Sequence, residues 1–296
     1  MPYSVVVPVT PNNILWGSLV GKGGQYLRVK SDETGVDFES SKTPYTDAIM
    51  NADSTVAFHY DMSQVTYTSG NITAIADQSS SHCNVVGINL FTKSSSTQNG
   101  KYYGHFGRSE SQYLTVSNAG CPTSGQSFMY VFLGRLTSNV LTSLLWNSNG
   151  SVGNLRCELN STVCNCIAST TVGNQNFTCS FGTSWFLITM AYDSGSNQVF
   201  CYFNGQSLGG AVEANTGWTF GGITIGCTYQ VDSSGNPGSG VYSTGYCMNG
   251  DIAEVAMIKT FDNTKRQEGL MAYKWGLSTS VLYSGHPFYG IQPYTS

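Results

Sequence analysis

Residues 185–205 have the sequence WFLITMAYDSGSNQVFCYFNG, and this stretch decides the fold. Two runs of alternating apolar residues flank the polar turn at 193–197, a pattern that predicts a β-hairpin. The second strand ends on Asn204-Gly205, a dipeptide that favours a tight turn into yet another strand. Strands that follow one another through short turns are typical of antiparallel sheet sandwiches.

Composition narrows the class of protein. The chain has 296 residues, of which 40% are hydrophobic and 10% are charged, so it can bury a sizeable core under a surface of Ser, Thr, Asn and Gly. The net charge of −4 and the dispersed Lys and Arg leave no basic surface for phosphate groups, and nucleic acid is not an expected partner. No apolar run reaches the length of a membrane span and the first residues lack a signal-peptide pattern, so we expect synthesis in a cytosol and no membrane insertion.

The nine cysteines are expected to be small core hydrophobes. Their odd number and a reducing cytosol both argue against disulfides. The tightest group comprises Cys157, Cys164, Cys166 and Cys179, and its spacing matches no zinc finger or zinc ribbon. We therefore expect no metal and no cofactor.

Three segments carry a family resemblance. The hairpin at 185–205 is followed by GDIAEVAMIK at 250–259, which predicts a strand, and then by AYKWGL at 272–277 with SGHPF at 284–288. In this order the segments resemble the LamG-like branch of the concanavalin A-like lectin/glucanase superfamily, in which a W…Y-x-N-G hairpin precedes a G-x-I-a-E-V strand, a short helix and a K-W-G-L…H-P tail. The resemblance implies an all-β jelly-roll sandwich with one short C-terminal helix over residues 51–296.

Two uncommon residues of the tail are expected to be structural. Trp275 is predicted to pack the helix onto the sandwich, and His286 to cap or hydrogen-bond the returning tail. A catalytic or ligand-binding role is the less favoured alternative for both.

Residues 1–50 are predicted to form a separate N-terminal segment for attachment and oligomerisation. Alternation places Leu27 and Val29 on one face of a strand, and Val36 and Phe38 on one face of the next, which predicts a small β-hairpin module. The pattern G-x-x-L-x-V-x-S-x-x-T-G-v-x-F resembles segments beside the attachment regions of phage fibres and other virion appendages. It implies that these four residues attach the protein to a particle, and an ordinary hairpin linker is the alternative.

No catalytic residues are expected. Glycosidases need two carboxylates at a fixed separation, and the Glu-x-Asp-x-(x)-Glu pattern of the β-jelly-roll glucanases is absent from the sequence. The nearest acidic pair is Asp251 and Glu254, whose spacing of three predicts opposite faces of a strand. The four histidines belong to no Ser-His-Asp or metal-binding pattern, so the chain is not expected to be an enzyme.

Sugar binding is predicted at two polar, aromatic-containing segments on one rim of the sandwich. Sugar sites stack aromatic rings on the pyranose and hydrogen-bond its hydroxyls, mostly from loops. The first segment offers Trp146 and Asn147. The second, at 229–246, offers Tyr229, Tyr242 and Tyr246, and a surface loop that packs on neighbouring subunits is an equal alternative for it.

The expected function is that of a non-enzymatic virion structural protein, made in the host cytoplasm. A tail or head fibre and a capsid decoration protein fit equally well. The expected partners are other virion proteins of the capsid or tail, further copies of the chain in a homo-oligomer such as a trimer, and a host cell-surface glycan. A soluble bacterial carbohydrate-binding lectin is the second class, and a glycoside hydrolase is the third.

Overall fold

A computed structural model describes most of the chain. The described residues are 25–29, 36–40, 43–83, 85–88, 91–108, 112–118, 120–123, 125–137, 142–147, 156–160, 163–167, 175–180, 182–212, 222–231, 234, 237–243, 247–262 and 264–295. The chain divides into two compact units, residues 1–43 with 295–296 and residues 44–294. The predicted domain boundary near residue 50 stays a prediction.

The described part of the first unit includes a hairpin of β1 (Gln25–Val29) and β2 (Val36–Ser40), which pair antiparallel. Leu27 lies opposite Phe38, and Val29 lies opposite Val36. Residues directly opposite each other share a face, and so do alternate residues of a strand. The register therefore places all four residues on one face of the confirmed hairpin, and their role in attachment stays a prediction.

Most secondary-structure elements of the second unit are strands. Its elements in chain order are α1 (Asp47–Ala52), β3 (Val56–Asp61), a 3-10 turn (Met62–Gln64), β4 (Thr66–Thr68), β5 (Asn71–Ala74), β6 (Val85–Ile88), β7 (Thr92–Gln98), β8 (Lys101–Phe106), β9 (Leu114–Val116), β10 (Phe128–Leu136), β11 (Thr142–Asn147), β12 (Arg156–Asn160), β13 (Val163–Ile167), β14 (Gln175–Thr178), β15 (Phe186–Asp193), β16 (Gln198–Phe203), β17 (Gln206–Val212), β18 (Ile223–Ile225), β19 (Thr228–Val231), β20 (Pro237–Ser243), β21 (Gly250–Ile258) and α2 (Thr264–Lys274).

These strands form two large antiparallel sheets and a two-stranded ribbon. The ten-stranded sheet has the order β17-β16-β15-β10-β21-β8-β7-β5-β4, with β3 also paired to β21. The seven-stranded sheet has the order β14-β13-β12-β11-β18-β9-β6, and β19 pairs with β20. The predicted all-β sandwich with a C-terminal helix is confirmed. No helix among the described residues is long and apolar enough to cross a membrane.

Strand β10 shows how the core is built on both faces of the ten-stranded sheet. Its alternate residues Phe128 and Phe132 belong to the core cluster shared with the seven-stranded sheet. The residues between them, such as Met129 and Val131, belong to a second cluster that includes Trp275 at the end of α2. A strand apolar on both sides is what this sandwiched position requires.

A β-bulge interrupts the pairing of β10 with β21. Leu133 lies opposite Glu254, whereas the next residue, Gly134, lies opposite Ile252. Ala253 is thus an extra residue of β21 without a partner in the ladder. Such an insertion reverses the alternation of side chains along the strand.

The bulge corrects one prediction from the sequence. Ile252 and Val255 both enter the core between the sheets, so Asp251 and Glu254 both lie on the opposite, helix-facing side. The expectation of opposite faces was wrong because it assumed an uninterrupted strand. The bulge requires glycine at 134, where a Cβ would lie 2.6 Å from the backbone oxygen of Asp251.

Glu254 is the centre of a buried ionic cluster. Its Oε1 lies 2.6 Å from Nε2 of His59 and 2.7 Å from Nζ of Lys274, and its Oε2 accepts a 2.7 Å hydrogen bond from Nε1 of Trp275. Burial alone would raise the pKa of Glu254, but the Lys274 ammonium and the hydrogen bond from His59 outweigh it and lower the pKa from 4.5 to about 2. The charged carboxylate anchors Trp275 to the sheet, which confirms the packing role predicted for this tryptophan.

Lys274 extends this cluster to α1. Its Nζ lies 3.0 Å from Oδ2 of Asp47 and 3.1 Å from Oδ2 of Asp61, so that one ammonium contacts three carboxylates. Burial would lower the pKa of Lys274, but the carboxylates outweigh it and raise the pKa. These contacts and the fully buried Met50 hold α1, which the sequence pattern did not predict.

The two ends of the sandwich unit lie side by side. Pro44 and Tyr294 form an antiparallel bridge, and the N–H of Tyr45 donates a 2.7 Å hydrogen bond to the carbonyl of Pro293. Nε2 of Gln267, in α2, donates to the hydroxyl of Tyr45 at 2.6 Å. The two ends of the unit are thereby joined to each other, and Tyr45 is held to α2.

Candidate functional site

The Asn204-Gly205 dipeptide forms the tight turn that the sequence predicts. Both residues have positive φ, 53° at Asn204 and 78° at Gly205, and they join β16 to β17. A Cβ on Gly205 would lie 2.6 Å from Cδ2 of His286. Glycine is therefore required here both by the backbone conformation and by the tail that packs on the turn.

The C-terminal tail is tied to this turn by main-chain and side-chain hydrogen bonds. The N–H of Tyr283 donates to the carbonyl of Asn204 at 3.1 Å, and the side-chain oxygen of Asn204 accepts from the N–H of Leu187 at 2.9 Å. His286 Nδ1 accepts from the N–H of Phe288 at 3.2 Å. The hydrogen-bonding role predicted for His286 in the returning tail is therefore confirmed.

Polar side chains of α2 and β15 form hydrogen bonds that connect the turn and the tail to the rest of the fold. His286 Nε2 lies 3.3 Å from Oε2 of Glu268, and Oε1 of Glu268 accepts a 2.8 Å hydrogen bond from the hydroxyl of Thr189. Lys265 donates to the carbonyl of Gly205 and, at 3.1 Å, to Glu268. The turn and the tail thus have fixed positions relative to the sheet.

A surface pocket of about 510 Å³ lies between the end of β14, the β16–β17 turn and the tail. This volume falls within the range of small-molecule sites, about 300–1,000 Å³. Its apolar part includes the aromatic residues Phe203 and Tyr283 and the buried residues Val281 and Leu282. Tyr283 is 38% exposed, so one aromatic residue of the pocket is available to a ligand.

The polar part of the pocket consists of uncharged groups. Asn204 and Gln206 contribute amides, and Thr178, Ser180 and Ser280 contribute hydroxyls. The lining residues as described include no carboxylate, ammonium or guanidinium group. Such a set can donate and accept hydrogen bonds with a neutral ligand but offers no counter-charge to an ion.

The structure places the first predicted sugar-binding pair within a strand. Trp146 and Asn147 lie in β11 and pair with Thr224 and Ile223 of β18, inside the seven-stranded sheet. Neither is among the residues that line the pocket. Asn147 is the last residue of β11, and both the rim position and sugar binding by this pair stay predictions.

The second predicted segment is a ribbon and not an open loop over its described part. Tyr229 lies in β19 opposite Val241 of β20, and Tyr242 falls where the register of this ribbon shifts. Tyr246 lies outside the described residues. The structure thus brings Tyr229 and Tyr242 into one ribbon, and their role as sugar ligands stays a prediction.

The cysteines differ from expectation at one pair. Cys227 and Cys247 form a disulfide, next to a backbone hydrogen bond of 2.6 Å from the N–H of Met248 to the carbonyl of Gly226. Pairing of chain segments twenty residues apart brings the two sulfurs together, and a count of cysteines cannot show this. Six others are buried outside any disulfide, as expected for core hydrophobes: Cys83, Cys121, Cys157, Cys164, Cys179 and Cys201.

One group of side chains has the donor atoms of a metal site. Ligand atoms of Asp47, His59 and Glu254 lie within 4.8 Å of one another. The Lys274 ammonium already contacts both of these carboxylates, at 3.0 Å and 2.7 Å. Because this ammonium supplies the positive charge that a cation would bring, we assign no metal to the group.

No protein-family model and no curated protein matches the sequence. Solved structures do match. The binding domain of Paraclostridial Mosquitocidal Protein 1 has 13% identity and a TM-score of 0.52, over 74% of this chain and 52% of its own length. The binding domain of Botulinum Neurotoxin DC in complex with SialylT has 13% identity and a TM-score of 0.52, over 74% of this chain and 51% of its own length. A structure of botulinum neurotoxin type C, whose cell entry depends on interaction with two ganglioside molecules, has 13% identity and a TM-score of 0.50. The match covers 76% of this chain and 52% of that structure. The chain spans about half the length of these structures, and the likeness shows a shared β-sandwich fold.

Proposed function

We propose that this sandwich is a lectin-like binding module that takes a neutral saccharide in the pocket beside the Asn204-Gly205 turn. The uncharged lining of that pocket is the observation that carries the proposal. A sugar presents C–H faces that stack on aromatic rings and hydroxyls that pair with amides and other hydroxyls. Tyr283 and Phe203 offer the first kind of contact, and Asn204 and Gln206 offer the second.

The geometry favours binding over hydrolysis. A glycosidase needs two carboxyl groups that flank the bound sugar, and the lining of the pocket contributes none. Both oxygens of Glu254 and both oxygens of Asp251 are engaged by protein side chains. The glycan and ganglioside ligands of neurotoxins with the same fold agree with a saccharide as the ligand class.

We propose further that a virion carries this module as a fibre or decoration protein, with the face of Leu27, Val29, Val36 and Phe38 as its attachment to capsid or tail proteins. This setting is supported by the sequence pattern of the hairpin and by the register that places these four apolar residues on one face. Apolar residues collected on one face of a two-stranded hairpin need a partner surface.

A glycan array followed by calorimetric titration of the best ligand tests the pocket. Tyr283→Ala removes the exposed ring, and we expect about fivefold to tenfold weaker binding, since one aromatic contact contributes about 1 kcal/mol. Gln206→Ala should weaken binding by a similar factor through a lost hydrogen bond. Tyr289→Ala is the matched control, because Tyr289 is an equally exposed tyrosine of the same tail (39%) that does not line the pocket.

Saccharide binding in the pocket requires two results. The wild-type protein must bind at least one neutral glycan, and the loss must be confined to the pocket variants while their melting temperatures stay close to that of the wild type. Equal losses in Tyr283→Ala and Tyr289→Ala, or no neutral ligand at all, would refute it.

A further inference from the structure

A polar and aromatic row crosses four neighbouring strands on the helix-facing side of the ten-stranded sheet, away from the pocket. His105 in β8 lies opposite Asp251 in β21, and Asp251 lies opposite Arg135 in β10. Phe186 of β15 lies opposite Gly134, which places Trp185 beside Arg135. We call these four residues, His105, Asp251, Arg135 and Trp185, the outer row.

Asp251 orients the two basic side chains of the outer row, His105 and Arg135. Its Oδ1 lies 2.7 Å from Nδ1 of His105, and its Oδ2 accepts a 2.6 Å hydrogen bond from Nε of Arg135. The Asp251 side chain is only 4% exposed, whereas those of His105 and Arg135 are 44% and 34% exposed. The Asp251 carboxylate is thus hydrogen-bonded within the row, and the side chains of His105 and Arg135 are partly exposed to solvent.

The guanidinium of Arg135 is held in place and still has N–H donors available for a ligand. Its Nη2 donates a 2.7 Å hydrogen bond to the hydroxyl of Tyr103, and its central carbon lies 5.0 Å from the ring centroid of Trp185. Two of its five N–H groups are therefore engaged, by Asp251 and Tyr103, and three have no partner among the described residues. A preorganised, partly exposed guanidinium is a binding group for carboxylates.

His105 adds a group of the opposite hydrogen-bonding character. Because the Asp251 carboxylate can only accept, the proton of a neutral His105 lies on Nδ1, and Nε2 is an acceptor without a partner among the described residues. The outer row therefore presents N–H donors for a carboxylate next to an acceptor for a hydroxyl. Uronic and sialic acids carry both groups on one ring.

We propose that the outer row is a second binding site, for the carboxylate and an adjoining hydroxyl of an acidic saccharide. An acidic peptide is disfavoured because β8, β21, β10 and β15 each have neighbours on both sides in the sheet, so they offer no open edge for strand addition. The site goes beyond the neutral-saccharide pocket and shares no residue with it.

The probes are glucuronic acid, glucose and acetate, titrated into the full-length protein. Binding is followed by the ring resonances of His105, assigned with His105→Ala, and by calorimetry. We expect these resonances to shift with glucuronic acid and not with glucose. Acetate, which lacks the hydroxyl, should bind at least about tenfold more weakly than glucuronic acid, the effect of one good hydrogen bond.

The variants separate the two halves of the site. Arg135→Met should abolish binding of both glucuronic acid and acetate. Arg135→Lys keeps the charge but loses the planar donor group, so it should weaken binding of both acids, and it serves as the test if Arg135→Met does not fold. His105→Ala should weaken glucuronic acid towards the level of acetate and leave acetate unchanged. Lys101→Met, which removes a positive charge from the same strand, should change neither.

Two results would overturn the proposal. One is glucose shifting the His105 resonances as strongly as glucuronic acid does. The other is Arg135→Lys and His105→Ala both binding glucuronic acid like the wild type. Tyr283→Ala distinguishes the two sites, because it should leave glucuronic acid binding intact even if the pocket binds no neutral glycan.

Discussion

Replacing Lys274 by methionine tests whether the buried ionic cluster holds α1 and α2 on the sheet. The change keeps most of the side-chain volume but leaves Glu254 and Asp61, both almost fully buried, without their cation. Removal of one partner from a buried ion pair costs about 3–5 kcal/mol. Asp47 adds little to this figure because its side chain is 36% exposed. A loss of about 4 kcal/mol corresponds to a melting temperature lower by about 10 °C for a domain of this size.

Urea unfolding followed by tryptophan fluorescence measures the loss, with Lys101→Met as the control. Glu254→Gln in the Lys274→Met background should restore part of the stability, because it removes the buried charge that was left without its cation. A loss below about 1 kcal/mol in Lys274→Met, the size typical of an exposed ion pair, would show that the cluster does not fasten the helices.

The same cluster predicts how stability depends on pH. The folded state has a pKa of about 2 for Glu254, below the ordinary value of 4.5, so the stabilisation is complete above about pH 4.5 and is lost as pH falls towards 2. Unfolding experiments between pH 5 and pH 2.5 should therefore show a falling free energy of unfolding in the wild type. Lys274→Met should show a smaller fall over this window, and equal slopes would contradict the assignment.

Two further predictions concern the turn and the first unit. Gly205→Ala should destabilise the fold by about 2 kcal/mol, since alanine at positive φ costs about 1–2 kcal/mol and the new Cβ would also meet His286. Urea unfolding measures this loss, with Gly182→Ala as the control because a Cβ there meets nothing. Equal stability of the two variants would contradict the prediction. Removing residues 1–43 should leave a folded sandwich by circular dichroism but abolish particle attachment or oligomerisation, whereas removing 1–52 should also lower the melting temperature because Asp47 and Met50 are lost. Unfolding of the shorter truncation would place residues 1–43 in the sandwich fold.

Local sequence patterns were sufficient for the elements that local physics determines. The Asn204-Gly205 turn follows from the positive φ that this dipeptide accepts, and the hairpin at 185–205 follows from its alternation. The tail motif likewise predicted the packing of Trp275 and the hydrogen bonds of His286. Each of these features depends on residues close together in the chain or on a recurrent motif.

The features that sequence could not predict depend on pairing between distant segments. The bulge in β21 exists only relative to β10, and without it Asp251 and Glu254 would lie on opposite faces. The pocket requires three segments, at 178–180, 203–208 and 280–283, to meet. No single one of them has the composition of a sugar site. The aromatic segments chosen from sequence, such as the one at Trp146, instead contribute to strands, since aromatic residues are common in strands whether or not they bind a ligand.

The bridge between Pro44 and Tyr294 has a consequence for protein engineering. A unit whose first and last residues touch can be spliced into an exposed loop of an unrelated carrier, because the carrier's chain leaves and re-enters at nearly the same point. Conversely, new ends can be opened elsewhere, for example at the exposed turn around Ser194 and Gly195, once a short linker joins the old ones. The sandwich is thus suited to transplantation as a self-contained cassette.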